Sequence, residues 1–273
     1  MSERRVMLVT GGGTGIGAAV VERAARDGWH VVACGRRRDR LEAVAARTRA
    51  QVAVADITDP SAVTTLVADV VAEHGRLDTV VANAGVMTPG TLLEVDPSDW
   101  DLALRTNLTS VYLLTRAALP HLQAVRGSVV AVSSIAALRA PSAAAAYAVT
   151  KAGLVMLVQT IARDFASTGI RANVVCPGWV RTEMADEEMA ELGAGIGLDV
   201  ESSYDEVTRL VPQGRPADAS EVAGAVTWLA GADASYVNGA CLVVDGGTVL
   251  VDPGTVAYDF SVVARQPFGS ERT

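Results

Sequence analysis

Short, near-continuous apolar runs alternate along this chain with longer segments in which apolar residues recur every three or four positions. The runs at residues 6–10, 30–34, 51–54, 79–82, 128–132, 171–175 and 241–244 are valine-rich and lack polar alternation, which predicts seven strands buried on both faces. Helical spacing falls at about residues 15–27, 37–47, 60–73, 98–123, 146–167 and 219–230, and Gly28, Gly75 and Gly169 stand just past three of those ends as stop signals. Strands that alternate with helices of this length pair in parallel through right-handed crossovers, so the fold class is α/β, a doubly wound seven-stranded parallel sheet. One stretch, residues 180–214, breaks the alternation. It carries Met184, Met189, Leu192, Ile196 and Leu198 among acidic residues and reads equally as a surface helical hairpin or as a mobile lid over a site.

Composition narrows this picture. A chain of 273 residues could hold one large domain or two small ones, but no linker, repeat or composition shift divides it. The expectation is a single domain over residues 1–248, with 180–214 as the lid candidate. Residues 249–273 remain as an extension that includes Val256, Tyr258, Phe260, Val262 and Val263, expected to pack on a neighbouring subunit. The 23 basic and 31 acidic residues give a net charge of −8, which argues against a broad nucleic-acid surface and leaves room only for a local anion site. Cys34, Cys176 and Cys241 lie far apart in apolar runs and read as buried thiols in a reducing cytoplasm. The uncharged stretch at residues 79–93 falls short of the roughly 18 apolar residues that a membrane span requires, so no transmembrane helix is expected.

The local anion site has an obvious candidate. Thr10, Gly11, Gly12, Gly13, Thr14, Gly15, Ile16 and Gly17 follow the first strand and open directly into a helix. Glycines there let backbone N–H groups approach a pyrophosphate and aim the helix N-terminus at it, the arrangement of a Rossmann-type dinucleotide site. An NAD site usually carries an acidic residue about 20 positions further on; this chain has Gly35, Arg36, Arg37 and Arg38. A guanidinium fork suits the 2′-phosphate of NADP, so NADP is favoured over NAD, against the plainer reading of a solvated helix start. Asp56, followed by Ile57, could accept the adenine amino group or simply cap a turn.

Tyr147 and Lys151 stand one helical turn apart on one face. A nearby cation favours phenolate, and lowering a tyrosine pKa from about 10 to about 7 needs roughly 4 kcal/mol, which Lys151 and an oxidised nicotinamide could supply together. Ser133 and Ser134 end the fifth strand, on the sheet edge where doubly wound folds place ligands.

The glycine run from Thr10 to Gly17, Asn83-Ala84-Gly85, Asn107, Ser134, Tyr147, Lys151 and Pro177-Gly178 occur in an order that resembles the single-domain short-chain dehydrogenase/reductase family, over about residues 6–247. The resemblance implies Tyr147 as general acid and base, Ser134 (rather than Ser133) as orienter of the substrate oxygen, and Lys151 as modulator of the phenol and holder of the nicotinamide ribose. It implies that Asn107, in mid-helix, anchors a water that relays protons, and that Gly85 lets the backbone approach the adenine ribose. It also implies that Pro177, Gly178, Val180 and Thr182 bind the nicotinamide carboxamide. The chain departs from the family at Thr14, where many NADP-using members carry a basic residue, and at Ala82, where asparagine is frequent. The expected activity is hydride transfer between NADP(H) or NAD(H) and a ketone or secondary alcohol, by a homotetramer packed through the helices at 98–123 and 146–167. Pocket candidates are Met87, Ile135, Ala136, Trp179 and Met184, mostly apolar.

Two rival readings have less behind them. A Ser134–Lys151 hydrolase lacks a Gly-x-Ser-x-Gly elbow, and His30, His74 and His121 are too scattered for a triad or, with the cysteines, for a metal site. A nicotinamide-sensing protein without turnover has no reason to keep the whole set of Asn107, Ser134, Tyr147 and Lys151.

Overall fold

The first strand, β1 (Val6–Thr10), is buried along its whole length, and its side chains divide by parity: Val6 and Leu8 enter one hydrophobic cluster, Met7 and Val9 another. A strand whose two faces both meet apolar layers must lie inside a three-layer sandwich. The computed structural model describes residues 4–258, and it has that architecture. After β1 come α1 (Gly15–Arg26), β2 (His30–Gly35), α2 (Arg38–Thr48), β3 (Gln51–Val54), α3 (Pro60–His74) and β4 (Thr79–Ala82). The second half runs through α4 (Pro97–Ala103), α5 (Ser110–Val125), β5 (Ser128–Val132), α6 (Ala145–Phe165), β6 (Arg171–Pro177), β7 (Val180–Arg181), α7 (Glu183–Ile196), α8 (Val200–Thr208), β8 (Ala217–Asp218), α9 (Ala219–Ala230) and β9 (Cys241–Val244).

The seven predicted strands form one parallel sheet in the order β3-β2-β1-β4-β5-β6-β9. The chain winds outward from β1 to β3 and then returns to β4 on the other side of β1, so the loops after β1 and β4 diverge at a switch point where a ligand crevice opens. Local signals set the helix limits. In α3, Asp59 caps the N-terminus by accepting from the Ser61 and Ala62 N–H groups, Pro60 fills the first turn, and Gly75 ends the helix in the left-handed region at φ 71°.

The helix expected at 98–123 is not one α-helix. Leu104–Thr109 forms a π-helical turn between α4 and α5. One extra residue in a turn leaves the apolar periodicity nearly unchanged, so hydropathy does not register it, yet it rotates Asn107 into the interior. The stretch 180–214 contains the two helices α7 and α8, stapled where the fully buried Tyr204 donates to Asp186 Oδ1 at 2.8 Å. The strands β7 and β8, two residues each, form a separate parallel ladder beside it. Ala145–Thr168 is long and apolar enough to cross a membrane, but Leu154, Val158, Ile161 and Ala162 bury one face of it against the sheet, as in a core helix. Cys176 and Cys241, distant in sequence, meet across β6 and β9 with sulfurs 3.3 Å apart as free thiols, and Cys241 is only half-buried. Of the extension, Phe260, Val262 and Val263 lie outside the described residues.

A buried carboxylate ties the start of the sheet to its centre. Asp78 accepts from the Val6 N–H at 2.8 Å and from Arg76 Nε and Nη2 at 2.8 and 2.6 Å. Asp78→Ala leaves the Val6 N–H buried without its acceptor and removes two charge-assisted hydrogen bonds from Arg76, and is expected to cost about 3 kcal/mol, read as a lowered denaturation midpoint with an unchanged slope.

Candidate active site

The crevice at the switch point is held open by side chains from both of its walls. Thr10 Oγ1 donates to the Val81 carbonyl at 3.3 Å and accepts from the N–H groups of Asn83 and Ala84 at 3.1 and 3.3 Å. Asn83 Nδ2 returns the contact, donating to the carbonyls of Thr10 at 3.0 Å and Gly11 at 3.4 Å. The glycine loop is thereby fixed, and its glycines are required by space. A Cβ on Gly17 would lie 2.1 Å from the Gly11 carbonyl oxygen, and Gly11 and Gly15 have φ of 66° and 52°. Thr14 precedes α1 in extended conformation without a side-chain cap, so the N–H groups of the first turn, at Gly15, Ile16 and Gly17, face the crevice. Gly13 lets Arg40 approach, its ideal Cβ position lying 3.1 Å from Arg40 Cβ. This cradle fits a pyrophosphate.

The adenosine end differs in detail from expectation. Arg36 is exposed and close enough to Asp56 to help hold that carboxyl below its usual range, after the larger effect of the Thr58 hydrogen bonds. Asp56 Oδ1 is used by the turn, accepting from Thr58 N at 2.9 Å and Thr58 Oγ1 at 2.8 Å, and Ile57 is buried beneath it. Arg37 is already engaged: its Nη2 donates to Glu183 Oε2 at 2.8 Å and reaches Thr14 Oγ1 at 3.5 Å. On the other wall Pro177 ends β6, Gly178 donates to the Val244 carbonyl at 3.0 Å, and Val180 is buried in β7. Thr182 caps α7 by accepting from Ala185 N at 3.2 Å, and its hydroxyl proton stays available to an acceptor.

Ser134, Tyr147 and Lys151 converge on the same crevice. Ser133 Oγ donates to the Lys151 carbonyl at 2.8 Å and is buried, which removes it from the chemistry; Ser134, the other member of the doublet, hydrogen-bonds Tyr147. Lys151 Nζ lies 5.5 Å from the Tyr147 ring centre and donates to the Val132 carbonyl at 3.1 Å. Asn107 is fully committed: Oδ1 accepts from Val86 N at 2.8 Å, while Nδ2 donates to the Val86 carbonyl at 3.0 Å and to Thr150 Oγ1 at 3.2 Å. Both ends of its side chain are therefore occupied within the protein. Gly85 serves this cluster as well, since a Cβ there would lie 3.2 Å from Asn107 Oδ1 and 3.4 Å from Lys151 Nζ.

Burial dominates the electrostatics. It pushes the Tyr147 phenol up to about 12, against the opposing Ser134 hydrogen bond, and it pushes the Lys151 ammonium down to about 8. Lys151 does not offset this burial, because its ammonium is turned to the Val132 carbonyl, and only the Ser134 hydrogen bond opposes the upward shift. Glu188 of α7, unremarked in the sequence, is near enough to raise the phenol further. Its own carboxyl is held above the usual range by burial and then by Glu191. Glu183 and Arg40 also escape a sequence reading: Arg40 Nη2 donates to Glu183 Oε1 at 2.8 Å, across 143 positions. Only the acidic character of 183–188 hinted at them.

A phosphate cradle at a switch point, beside a serine, a tyrosine and a lysine, defines a dinucleotide-binding protein. Comparison with known proteins agrees. The family model described as enoyl-(acyl carrier protein) reductase matches residues 11–249. Protein MoaE of Klebsiella aerogenes is 41% identical over 246 residues, covering 88% of this chain and 93% of its own. Meso-2,3-butanediol dehydrogenase of Serratia marcescens is 32% identical over 245 residues, covering 89% and 93%. A solved variant of actinorhodin polyketide ketoreductase with NADPH superposes with a TM-score of 0.86 at 32% identity, covering 90% of this chain and 98% of that one. The chain belongs to the short-chain dehydrogenase/reductase family, and is an NAD(P)-dependent oxidoreductase.

A buried lysine with a lowered pKa opposes folding. Its penalty is full below the folded value of about 8 and disappears as pH rises towards the unfolded value of about 10.5. Lys151→Met should therefore raise the melting temperature at pH 7 by about 3–8 °C, with the gain shrinking by pH 10; a lower melting temperature at pH 7 would contradict this account.

Proposed function

We propose that this enzyme transfers a hydride between NADP(H), with NAD(H) as the weaker alternative, and a ketone or secondary alcohol, with Tyr147 as the general acid and base. The observation that carries the reading is the junction of Ser134 and Tyr147 over a buried lysine, beside a glycine cradle shaped for pyrophosphate. When bound, the nicotinamide supplies the hydride in reduction and accepts it in oxidation.

The chain's own residues account for the proton. In reduction the buried phenol, neutral at pH 7, gives its proton to the carbonyl oxygen as the hydride reaches the carbon. Ser134 Oγ accepts from Ala136 N at 3.1 Å and keeps its proton for the same oxygen, orienting it for attack. Lys151, cationic below pH 8, holds the ribose and favours a developing phenolate. Its Val132 contact fixes it there, and Asn107 secures the backbone of Val86 beside it. In oxidation the proton moves the other way, and the phenol's high intrinsic pKa makes the positive charge of the oxidised cofactor a requirement. Thr182, with Pro177, Gly178 and Val180, holds the carboxamide; Asp56 and Ile57 border the adenine; Arg36 and Arg37 meet the 2′-phosphate.

The substrate reading is a small to medium, mostly apolar carbonyl compound. Met87, Ile135, Ala136 and Trp179 are half-buried around the cluster, while Glu188 makes an anionic group next to the reacting carbon unfavourable. A homotetramer is supported by an exposed apolar face on the same two helices, where Tyr112, Val149 and Met156 are 46%, 50% and 63% exposed. Residues 180–214 act as the lid, and the whole operates in the cytoplasm.

Tyr147→Phe is expected to lower kcat for ketone reduction by about 10³-fold while leaving cofactor affinity and folding intact. Near-normal turnover in that variant would refute the acid/base assignment. It would also revive a Ser134-centred chemistry, for which the Lys151 contact with Val132 gives no support.

A further inference from the structure

The first turn of α7 lies directly on the dinucleotide cradle. Thr182 Cγ2 is 3.0 Å from where a Cβ on Gly15 would stand, so the lid begins in contact with the phosphate loop. The next residue, Glu183, crosses to α2 and its edge. There its two carboxylate oxygens take Arg37 Nη2 and Arg40 Nη2, each at 2.8 Å. Arg37 also reaches Thr14, and Arg40 rises beside Gly13, so both guanidiniums belong to the rim of the cradle. All three side chains stay open to solvent, at 53%, 49% and 36% exposure, which leaves the pairs exchangeable.

We propose that Glu183 competes with the 2′-phosphate of NADP for Arg37 and Arg40, so that NADP frees the first turn of α7 from α2 while NAD leaves it tied. This rests on the cofactor reading above. A phosphate monoester carries nearly two charges at neutral pH and offers three acceptor oxygens to a guanidinium fork, whereas Glu183 offers one charge and two oxygens. Exposed carboxylate pairs of this kind are weak enough to be displaced. A ribose hydroxyl makes no such demand, so Glu183 keeps both arginines when NAD binds. Cofactor discrimination is then set by an exchange of partners instead of by the arginines alone, and the competing group sits on the lid.

The test compares dissociation constants for NADPH, NADH, 2′,5′-ADP and 5′-ADP, measured by calorimetry on the full chain. Hydrogen exchange in α7 is followed alongside. Glu183→Gln should tighten NADPH and 2′,5′-ADP about three- to tenfold, and leave NADH and 5′-ADP within about twofold. In the unsubstituted protein NADPH should leave the first turn of α7 exchanging faster than NADH does, and Glu183→Gln should abolish that difference. Equal tightening of all four ligands, or weaker NADPH binding, overturns the competition. If Arg37→Ala weakens 2′,5′-ADP but Glu183→Gln changes nothing, the competition alone is wrong; if Arg37→Ala also changes nothing, the NADP reading falls with it.

Discussion

A parallel sheet covered on both faces delivers the C-terminal end of every strand to one edge, and the rest of this molecule depends on that constraint. Neither face can receive a polar ligand, because each is sealed by an apolar cluster fed by alternate residues of the same strands. Chemistry is confined to the edge, where β1 yields the glycine cradle, β4 yields Asn83 to Gly85, β5 yields Ser134 and β6 leads to Thr182. The reversal of strand order between β1 and β4 separates two of those loops, and the Thr10 and Asn83 hydrogen bonds keep the separation fixed. The cleft is thus a consequence of winding order, and its polar side chains hold its shape without filling it.

That placement has an energetic cost at the reacting groups. Tyr147 and Lys151 grow from a helix whose inner face belongs to the core, so the residues proposed to handle the proton are desolvated by the packing that positions them. Desolvation disfavours the charged form of both, moving the phenol up and the ammonium down, away from each other. For a catalyst this is useful: a neutral acid beside a cation that is only moderately held responds strongly to a charge arriving in the cleft. For the fold it is a loss, offset by the apolar face that the same helix buries through Leu154, Val158, Ile161 and Ala162.

What could be read from the sequence was local. The cradle is written in contiguous residues, because a turn that close to a backbone tolerates only glycine; the seven strands are written in valine runs, because burial on both faces removes alternation. Helical spacing puts Tyr147 and Lys151 on one face, but only the ordered set of motifs around them singles the pair out. Asn107 was legible as a residue but not as a geometry, since the π-helical turn that directs its amide to Val86 changes the period by a single position. Ser133 and Ser134 are neighbours whose roles part only when the Lys151 carbonyl claims one of them. Glu183 with Arg37 and Arg40, and Cys176 with Cys241, are contacts between remote segments, and no local pattern in one segment encodes the identity of its partner.

The helix α7 gathers these threads. Its buried residues Ala185, Met189 and Gly193 lie on one face, the first two in the cluster with Tyr204 of α8, so the helix and its neighbour pack as one unit. Glu183 and Glu188 are five positions apart, about 7.5 Å along the axis, and point to different ends of the crevice, one to the arginines and one to the Tyr147 phenol. The acidic residues of 183–188 thus serve two polar boundaries from one helix, one carboxylate against the arginines of α2 and one near the phenol, which a helix that only covered apolar surface would have no need of.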